Sequence, residues 1–242
     1  MRNSVEANLR EWDQQHSWSA DGDEWSGMAA YCKQPYPEWK NALVETFIEP
    51  YVTAESSVLE IAPGHGRWAD TLTQLARRTT LVDLSPSCIE FCRDRFKDRP
   101  GVTYVVNDGL SLPGVPDGSI DFAWSFDSFV HMQPDVIGGY LHELSRVLTP
   151  GGVAVIHHAG RRNAVLPAAR VRSWGKPGRW AFAMASLGRP RDGWRSDVSR
   201  PLFYGLARSA GLEVVGQTQA WGPARQFTVK RYNDWVSTLR KS

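Results

Sequence analysis

The amino-acid sequence predicts an α/β domain built on an open, largely parallel sheet, and three observations carry that prediction. From Ser57 onward, short apolar runs alternate with amphipathic stretches of helical period, the pattern of successive βαβ units. A Gly64-x-Gly66 joint follows the first apolar run and opens a helix. The chain has 242 residues, 42% hydrophobic and 22% charged, enough for one large core under a charged surface. Disordered and fibrous classes are excluded.

Residues 1–50 form an N-terminal helical appendage. Residues 4–15 read as a helix with Ser4 as N-cap and Val5, Leu9 and Trp12 on one stripe. The stretch from Gln15 to Pro37 is polar and aromatic without a period, and a second helix covers residues 38–50 with Leu43, Phe47 and Ile48 apolar. Residues 51–160 are the α/β core, with strands expected near 57–62, 79–83, 102–106, 119–125 and 152–158. Between them, Trp68, Leu72 and Leu75 make one helical stripe. Ile89, Cys92 and Phe96 make another, capped by Ser85 with Pro86 at the first helical position. The helix after Pro134 carries Val136, Tyr140, Leu144, Val147 and Leu148, and Pro150-Gly151-Gly152 should stop it. Residues 161–197 interrupt the pattern as a basic, aromatic insertion. Residues 198–242 close the chain with a helix over 200–210, capped by Ser199 and ended by Gly211. Two runs follow, at 212–220 and 227–239; lacking a helix between them, they should pair antiparallel.

Charge is unevenly spread behind a net +2: residues 1–40 are net −3, 161–197 net +7 and 223–242 net +4. No apolar run approaches the ~18–20 residues that cross a bilayer. Five charged residues (Arg2, Glu6, Arg10, Glu11, Asp13) stand where a signal peptide would be apolar, so a cytoplasmic location is expected. Of three cysteines, Cys88 and Cys92 lie four apart in a helical pattern rather than in a zinc or redox spacing; reduced thiols and no metal site are expected.

The stretch Val58 to Asp70, VLEIAPGHGRWAD, carries the most chemistry. Glycines at a strand-to-helix joint let a ligand approach the backbone, and the helix start offers unpaired N–H groups. Alone, that joint fits a dinucleotide site or a tight turn. Asp83 ends the second strand, seventeen residues after Gly66, where a carboxylate can accept both hydroxyls of a ribose. Asn107-Asp108-Gly109 follows the third strand, where an acid or amide can meet an adenine edge. Glu60 lies inside the first strand, awkward for a diphosphate and suited to a cationic cofactor. Structural alternatives stand beside these: Asp83 could cap the next helix, Asp108 could be a turn residue, and Glu60 could pair with an arginine.

In this order the features resemble the class I S-adenosylmethionine-dependent methyltransferases, over about residues 40–160. The family's first motif looks like Glu60-Ile61-Ala62-Pro63-Gly64-His65-Gly66, with Ala62 where glycine is commoner. Leu112 to Met132 is similar to its fourth-strand region, and Val147 to Gly152 to the turn before its fifth strand. The resemblance implies a Rossmann-like seven-stranded sheet, mostly parallel with an antiparallel last strand, helices on both faces, and S-adenosylmethionine across the carboxyl ends of the strands. It implies that Glu60, Ala62, Pro63, Gly64 and Gly66 hold the methionine part and Asp83 with Leu84 the ribose. Asn107, Asp108 and Gly109 would hold the adenine, and Ser125 or Phe126 would lie nearest the methyl.

A hydroxyl acceptor needs a base. His131 follows the fourth strand and His157-His158 end the fifth, all near the rim where an acceptor should bind; alternation allows at most one of the last two to face it. His131 is the first choice for the base, with Asp127 orienting a histidine or the acceptor. His65 reads as a loop residue, His16 and His142 as surface residues. Arg161, Arg162 and Trp174 of the insertion could bind an anionic or carbohydrate acceptor, and Trp18, Trp25 and Tyr31 could close the opposite side as a lid. The expected function is O-methylation of a small polar acceptor, such as a sugar. An N-methyltransferase, an RNA methyltransferase, a nicotinamide oxidoreductase and a non-catalytic binding protein are the alternatives. No nucleic-acid or membrane partner is expected, and the sequence leaves oligomeric state open.

Overall fold

The computed structural model describes residues 3–19, 22–23, 35–160 and 195–242. The leader begins with α1 (Val5–Leu9), where the Ser4 hydroxyl accepts the Ala7 N–H, as expected of an N-cap. The α-helix then widens into a π-helical stretch, Arg10–Gln15, so the helix expected over 4–15 is α-helical only in its first half. The second helix, α2 (Tyr36–Phe47), starts earlier than expected because Pro35 supplies the extended residue before it and Pro37 lies in its first turn.

The core then runs β1 (Ser57–Ile61), α3 (Ala69–Leu75), β2 (Arg78–Asp83), α4 (Pro86–Arg95), β3 (Val102–Val106), β4 (Ile120–Ser125), α5 (Pro134–Val147) and β5 (Leu148–His158). The helix α5 ends three residues before Pro150. Leu148 is already extended, so Thr149-Pro150-Gly151-Gly152 belongs to the start of β5 rather than to a helix stop. After the insertion come α6 (Arg200–Ser209), capped by Ser199, and β6 (Leu212–Thr218). The run expected over 227–239 is split. Residues β7 (Ala220–Trp221) and β8 (Phe227–Thr228) form a small separate hairpin, and the long strand β9 (Trp235–Lys241) starts only after Asn233, whose φ of +58° breaks the extended chain.

Among the described residues seven strands form one sheet in the order β3-β2-β1-β4-β5-β9-β6. Neighbours pair parallel except β9, which is antiparallel to both β5 and β6. Helices cover both faces. On one, α5 and α6 pack Tyr140, Leu141, Leu144 and Phe203 against Leu59, Ala123 and Ile156. On the other, α2 and α3 pack Trp39, Leu43 and Leu72 against Val58, Trp124 and Val155, and α4 packs Ile89 and Cys92 against Leu81. The apolar stripe of α5 recurs every three or four residues, which is why one helix face meets the sheet. Leu144 is completely buried at its centre. Leu144→Ala should therefore lower unfolding free energy by about 2–5 kcal/mol in urea denaturation; a loss within experimental error would show that this stripe does not anchor the face.

Candidate active site

The first two βα turns are built around one carboxylate. At the end of β1 the chain turns sharply, with positive φ at Ala62 (+59°), Gly64 (+56°) and Gly66 (+84°). Ala62 therefore occupies a left-handed conformation that glycine adopts without strain, at a cost of about 1–2 kcal/mol. A side chain at Gly66 would strike Phe96 and one at Gly64 the Trp18 ring, so both positions need the bare backbone. Asp83, buried at the end of β2, accepts the Gly64 N–H at 3.1 Å and the Ser85 N–H at 2.9 Å. Burial pushes its carboxyl up to about 6, against the pull of those two backbone donors. The cap of α4 is Ser85, whose hydroxyl accepts the Cys88 N–H, so Asp83 is left for the turn.

Glu60 is 1% exposed in mid-β1, beside Leu81 and Trp124. Its Oε2 has no hydrogen-bond partner. Burial first, and then the Asp83 charge, push its carboxyl up to about 8, with Arg67 and Lys40 pulling the other way. A buried acid with an unpartnered oxygen, behind a turn of bare backbone, fits a ligand that brings a cation.

These turns open on a cleft with about 750 Å³ of empty space, part of it open to solvent, inside the ~300–1,000 Å³ range of small-molecule sites. Its floor is Ala62 to His65 with Asp83 and Leu84; its far wall is Phe126, Asp127, Ser128, His131 and Met132. The leader roofs it with Asn8, Trp12 and Trp18. The Asp13 carboxylate holds that roof down, accepting the Ser85 hydroxyl at 2.7 Å, the Ser87 hydroxyl at 2.8 Å and the Ser87 N–H at 3.1 Å. Trp18 stacks on His65 at 4.7 Å, Asn8 donates to the His131 carbonyl, and Val5 covers Gly109. His16 packs between Trp12 and Trp18 rather than on the surface, and His65 is sandwiched between Trp18 and Phe91.

The far wall is a chain of buried charges. Arg67, directly after Gly66, pairs with Asp127 at 2.9 Å and lies 4.7 Å from the Trp68 ring. Asp127 has φ +68°, a strained conformation of the kind that clusters at functional sites. His157 Nδ1 lies 3.1 Å from the Asp127 N–H and 3.2 Å from its carboxylate, and His157 Nε2 lies 3.6 Å from Asp234. Asp234 in turn pairs with Arg195 at 3.1 Å. Burial alone would raise the Asp127 carboxyl; the His157 hydrogen bond and the charges of His157, Arg67 and Arg195 outweigh it and hold it below the usual carboxylate range.

The expected site residues divide accordingly. Ala62, Pro63, Gly64, Asp83, Leu84, Phe126, Asp127 and His131 come together on the cleft, with Glu60 and Gly66 behind the turn. His157 stacks under Phe126 at 4.2 Å and reaches the cleft only through Asp127. His158 must be withdrawn as a base: it faces the opposite side of the sheet, with Nδ1 2.7 Å from the Ala159 carbonyl and Nε2 2.7 Å from the Ser237 hydroxyl, and burial pushes it down to about 3. Asp108 and Asn107 do not line the cleft. The Asp108 carboxylate accepts the Leu110 and Ser111 N–H groups of its own turn, and the Asn107 amide donates to Tyr140 and the Ser111 carbonyl. Ser125 ties β4 to β1 by donating to the Ile61 carbonyl. Trp25, Tyr31, Arg161, Arg162 and Trp174 lie outside the described residues. Sequence reasoning missed Asn8, Asp13, Arg67, Arg195 and Asp234; only Arg67 had a local signal, its place beside Gly66.

Comparison with known proteins bears on this geometry. Residues 58–152 match a family model described as a methyltransferase domain. Over those residues the chain is similar to the class I S-adenosylmethionine-dependent methyltransferases. A 2-methyl-6-phytyl-1,4-hydroquinone methyltransferase of Synechocystis sp. is 26% identical over 187 residues, 76% of this chain and 53% of that protein. A demethylmenaquinone methyltransferase of Tropheryma whipplei is 32% identical over 105 residues, 43% of this chain and 42% of that protein. The chain thus spans about half the length of the curated relatives it matches. Among solved structures, a putative sarcosine dimethylglycine methyltransferase from Galdieria sulphuraria shares the fold, with a TM-score of 0.59 at 16% identity over 93% of this chain and 92% of that one. The methyltransferase family's cofactor is S-adenosylmethionine, and the unpartnered Glu60 oxygen and bare turn fit its cationic methionine end.

The Glu60 carboxyl has a stability consequence. Its pKa in the folded protein, about 8, lies above the ordinary 4.5. The folded state therefore holds this proton more tightly than the unfolded chain, so Glu60 costs nothing below the ordinary value and progressively destabilises as pH rises toward 8. Glu60→Gln should raise the apoprotein's Tm by several degrees at pH 8 and leave it unchanged near pH 4.5, read by differential scanning calorimetry. A Tm increment independent of pH would refute this origin.

Proposed function

We propose that this protein transfers a methyl group from S-adenosylmethionine to a hydroxylated, ring-bearing small molecule, with His131 taking the hydroxyl proton. The observation that carries the reading is the placement of His131 across one cleft from the Gly64 turn and Asp83. When bound, S-adenosylmethionine supplies an electrophilic methyl group and a neutral thioether leaving group. Glu60 would face the ammonium end, and Asp83 would exchange part of its hold on the turn for the ribose hydroxyls. The described walls are aromatic and apolar (Trp12, Trp18, Trp68, Phe126, Met132), which suits a flat ring better than the sugar expected from the sequence. That sugar expectation rested on a basic segment outside the described residues.

On this reading His131 removes the acceptor proton. Asp127, kept ionised by Arg67 and His157, orients a hydroxyl or the imidazole. The Trp12–Trp18 roof excludes water from the transfer. Because methyl transfer is a displacement with a good leaving group already installed, most of the protein's task is alignment. A second reading, methylation at a ring carbon, is favoured by the quinone-type names of the relatives. It uses the same base, because a deprotonated phenol makes its ortho carbon nucleophilic, and a second proton then leaves the ring.

Incubating phenols, hydroquinones and sugars with methyl-labelled cofactor and locating the label by mass spectrometry tests both readings. Label on a ring oxygen supports the first and label on a ring carbon the second, whereas transfer to sugars or amines alone would overturn both. With an acceptor in hand, His131→Ala should lower turnover about 10²–10⁴-fold without changing cofactor affinity. Asp83→Ala should instead weaken S-adenosylmethionine binding about 10–150-fold in calorimetry. Unchanged turnover in the first variant removes His131 as the base, and unchanged affinity in the second removes Asp83 from the cofactor site.

A further inference from the structure

Two buried carboxylates share one sheet face at the root of the glycine turn. Glu60 stands beside Leu81, and Asp83 follows two residues later on the same face of β2. Among the described residues, no lysine or arginine forms an ion pair with either. The cations nearest to them are committed elsewhere: Lys40 of α2 to Asp23 at 2.6 Å, and Arg67 to Asp127 at 2.9 Å and Asp23 at 3.4 Å. Arg95 of α4 is likewise committed, donating to the His65 carbonyl at 2.7 Å. From α4 come the thiols of Cys88 and Cys92, the latter donating to the Gly64 carbonyl; the leader contributes Asp13 and α5 contributes Tyr140. Two like charges this close in a site without a counter-ion cannot both be held cheaply, so one of the pair keeps a proton. Asp83 has two backbone donors favouring its ionised form, and Glu60 Oε2 has none.

We propose that cofactor capture by this protein is proton-linked: Glu60 holds a proton in the free protein and releases it to solvent when the ammonium-bearing end of S-adenosylmethionine docks at the glycine turn. This rests on the methyltransferase reading above. The balance is simple: one O–H bond of the Glu60 carboxyl breaks, its proton goes to buffer, and the ligand cation supplies the missing counter-charge. The direction of both shifts agrees, with Glu60 pushed up to about 8 and Asp83 to about 6, so at neutral pH Glu60 is the protonated partner. Affinity for the cofactor then rises with pH across the neutral range, because less proton has to be displaced.

Isothermal titration of the full chain with S-adenosylmethionine at pH 7, in phosphate and in Tris, tests this. The two buffers differ strongly in ionisation enthalpy, so the difference between the two binding enthalpies counts protons. Release of about one proton per cofactor is expected for the native chain, and Glu60→Gln should bring it close to zero. Equal enthalpies in the two buffers, or undiminished release in Glu60→Gln, would overturn the proposal. Should that variant fold poorly, the native chain alone decides: Kd should fall about five- to tenfold between pH 6 and pH 7, and a constant Kd would overturn it. No binding at any pH would sink the cofactor reading itself, which is a different outcome from binding without proton release.

Discussion

The carboxylate of Asp83 ties together the two loops that frame the cleft, and much of the site's geometry follows from that tie. Parallel pairing of β1 with β2 sets Ile61 beside Val82, so the first two turns leave the sheet at the same level. One Asp83 oxygen then takes the Gly64 N–H and the other the Ser85 N–H. Each bond satisfies a buried backbone donor that a tight turn would otherwise strand. With Ser85 held in place, its hydroxyl caps α4 and also reaches Asp13, so the leader's position depends on the same residue that shapes the floor. A purely structural acid would be spent on this task. Asp83 also lines the cleft itself.

The opposite wall obeys a different constraint, the cost of leaving a buried charge unmatched. Asp23, Arg67, Asp127, His157, Asp234 and Arg195 follow one another along a path from the leader to the segment before β9. Arg67 also lies among the rings of Tyr36, Trp39, Trp68 and Phe126, where a weakly hydrated guanidinium is stabilised by their faces. Such a chain adds little net stability, since desolvation offsets attraction, but removing one member leaves its neighbour uncompensated. Its effect is rigidity: Asp127 is kept in a left-handed backbone conformation, which Asp tolerates better than most L residues, and the cleft wall is fixed with it.

What could be read from the sequence was chemistry that is local to a strand end. The alternation of apolar runs located the core strands within a few residues, because strands buried on both faces are continuous apolar stretches. The places of Glu60 inside β1 and of Gly64, Gly66 and Asp83 at the strand-to-helix joints were legible for the same reason: their neighbours in sequence are their neighbours in space. Asp108 closes its own turn, and a carboxylate that does so and one facing a ligand have identical local sequence. Arg67 and Asp127 are 60 positions apart, and no periodicity encodes such a pairing. The leader's π-helical stretch was hidden because docking of Asp13 on α4, not propensity, shapes it. In the tail, Phe227 and Trp235 both favour strand, and a 3-10 turn over Lys230–Tyr232 ended by the left-handed Asn233 separates two strands that pattern alone merges.

The order of strands has a consequence for how this chain is made. The strand β9 lies between β5 and β6, bonded to both, although it is synthesised after both. Until residues 235–241 emerge, β5 presents an open apolar edge and β6 has nothing to bond to. For that interval the nascent chain carries two adhesive borders, which makes the period before the wedge is driven home the moment of greatest need for a chaperone.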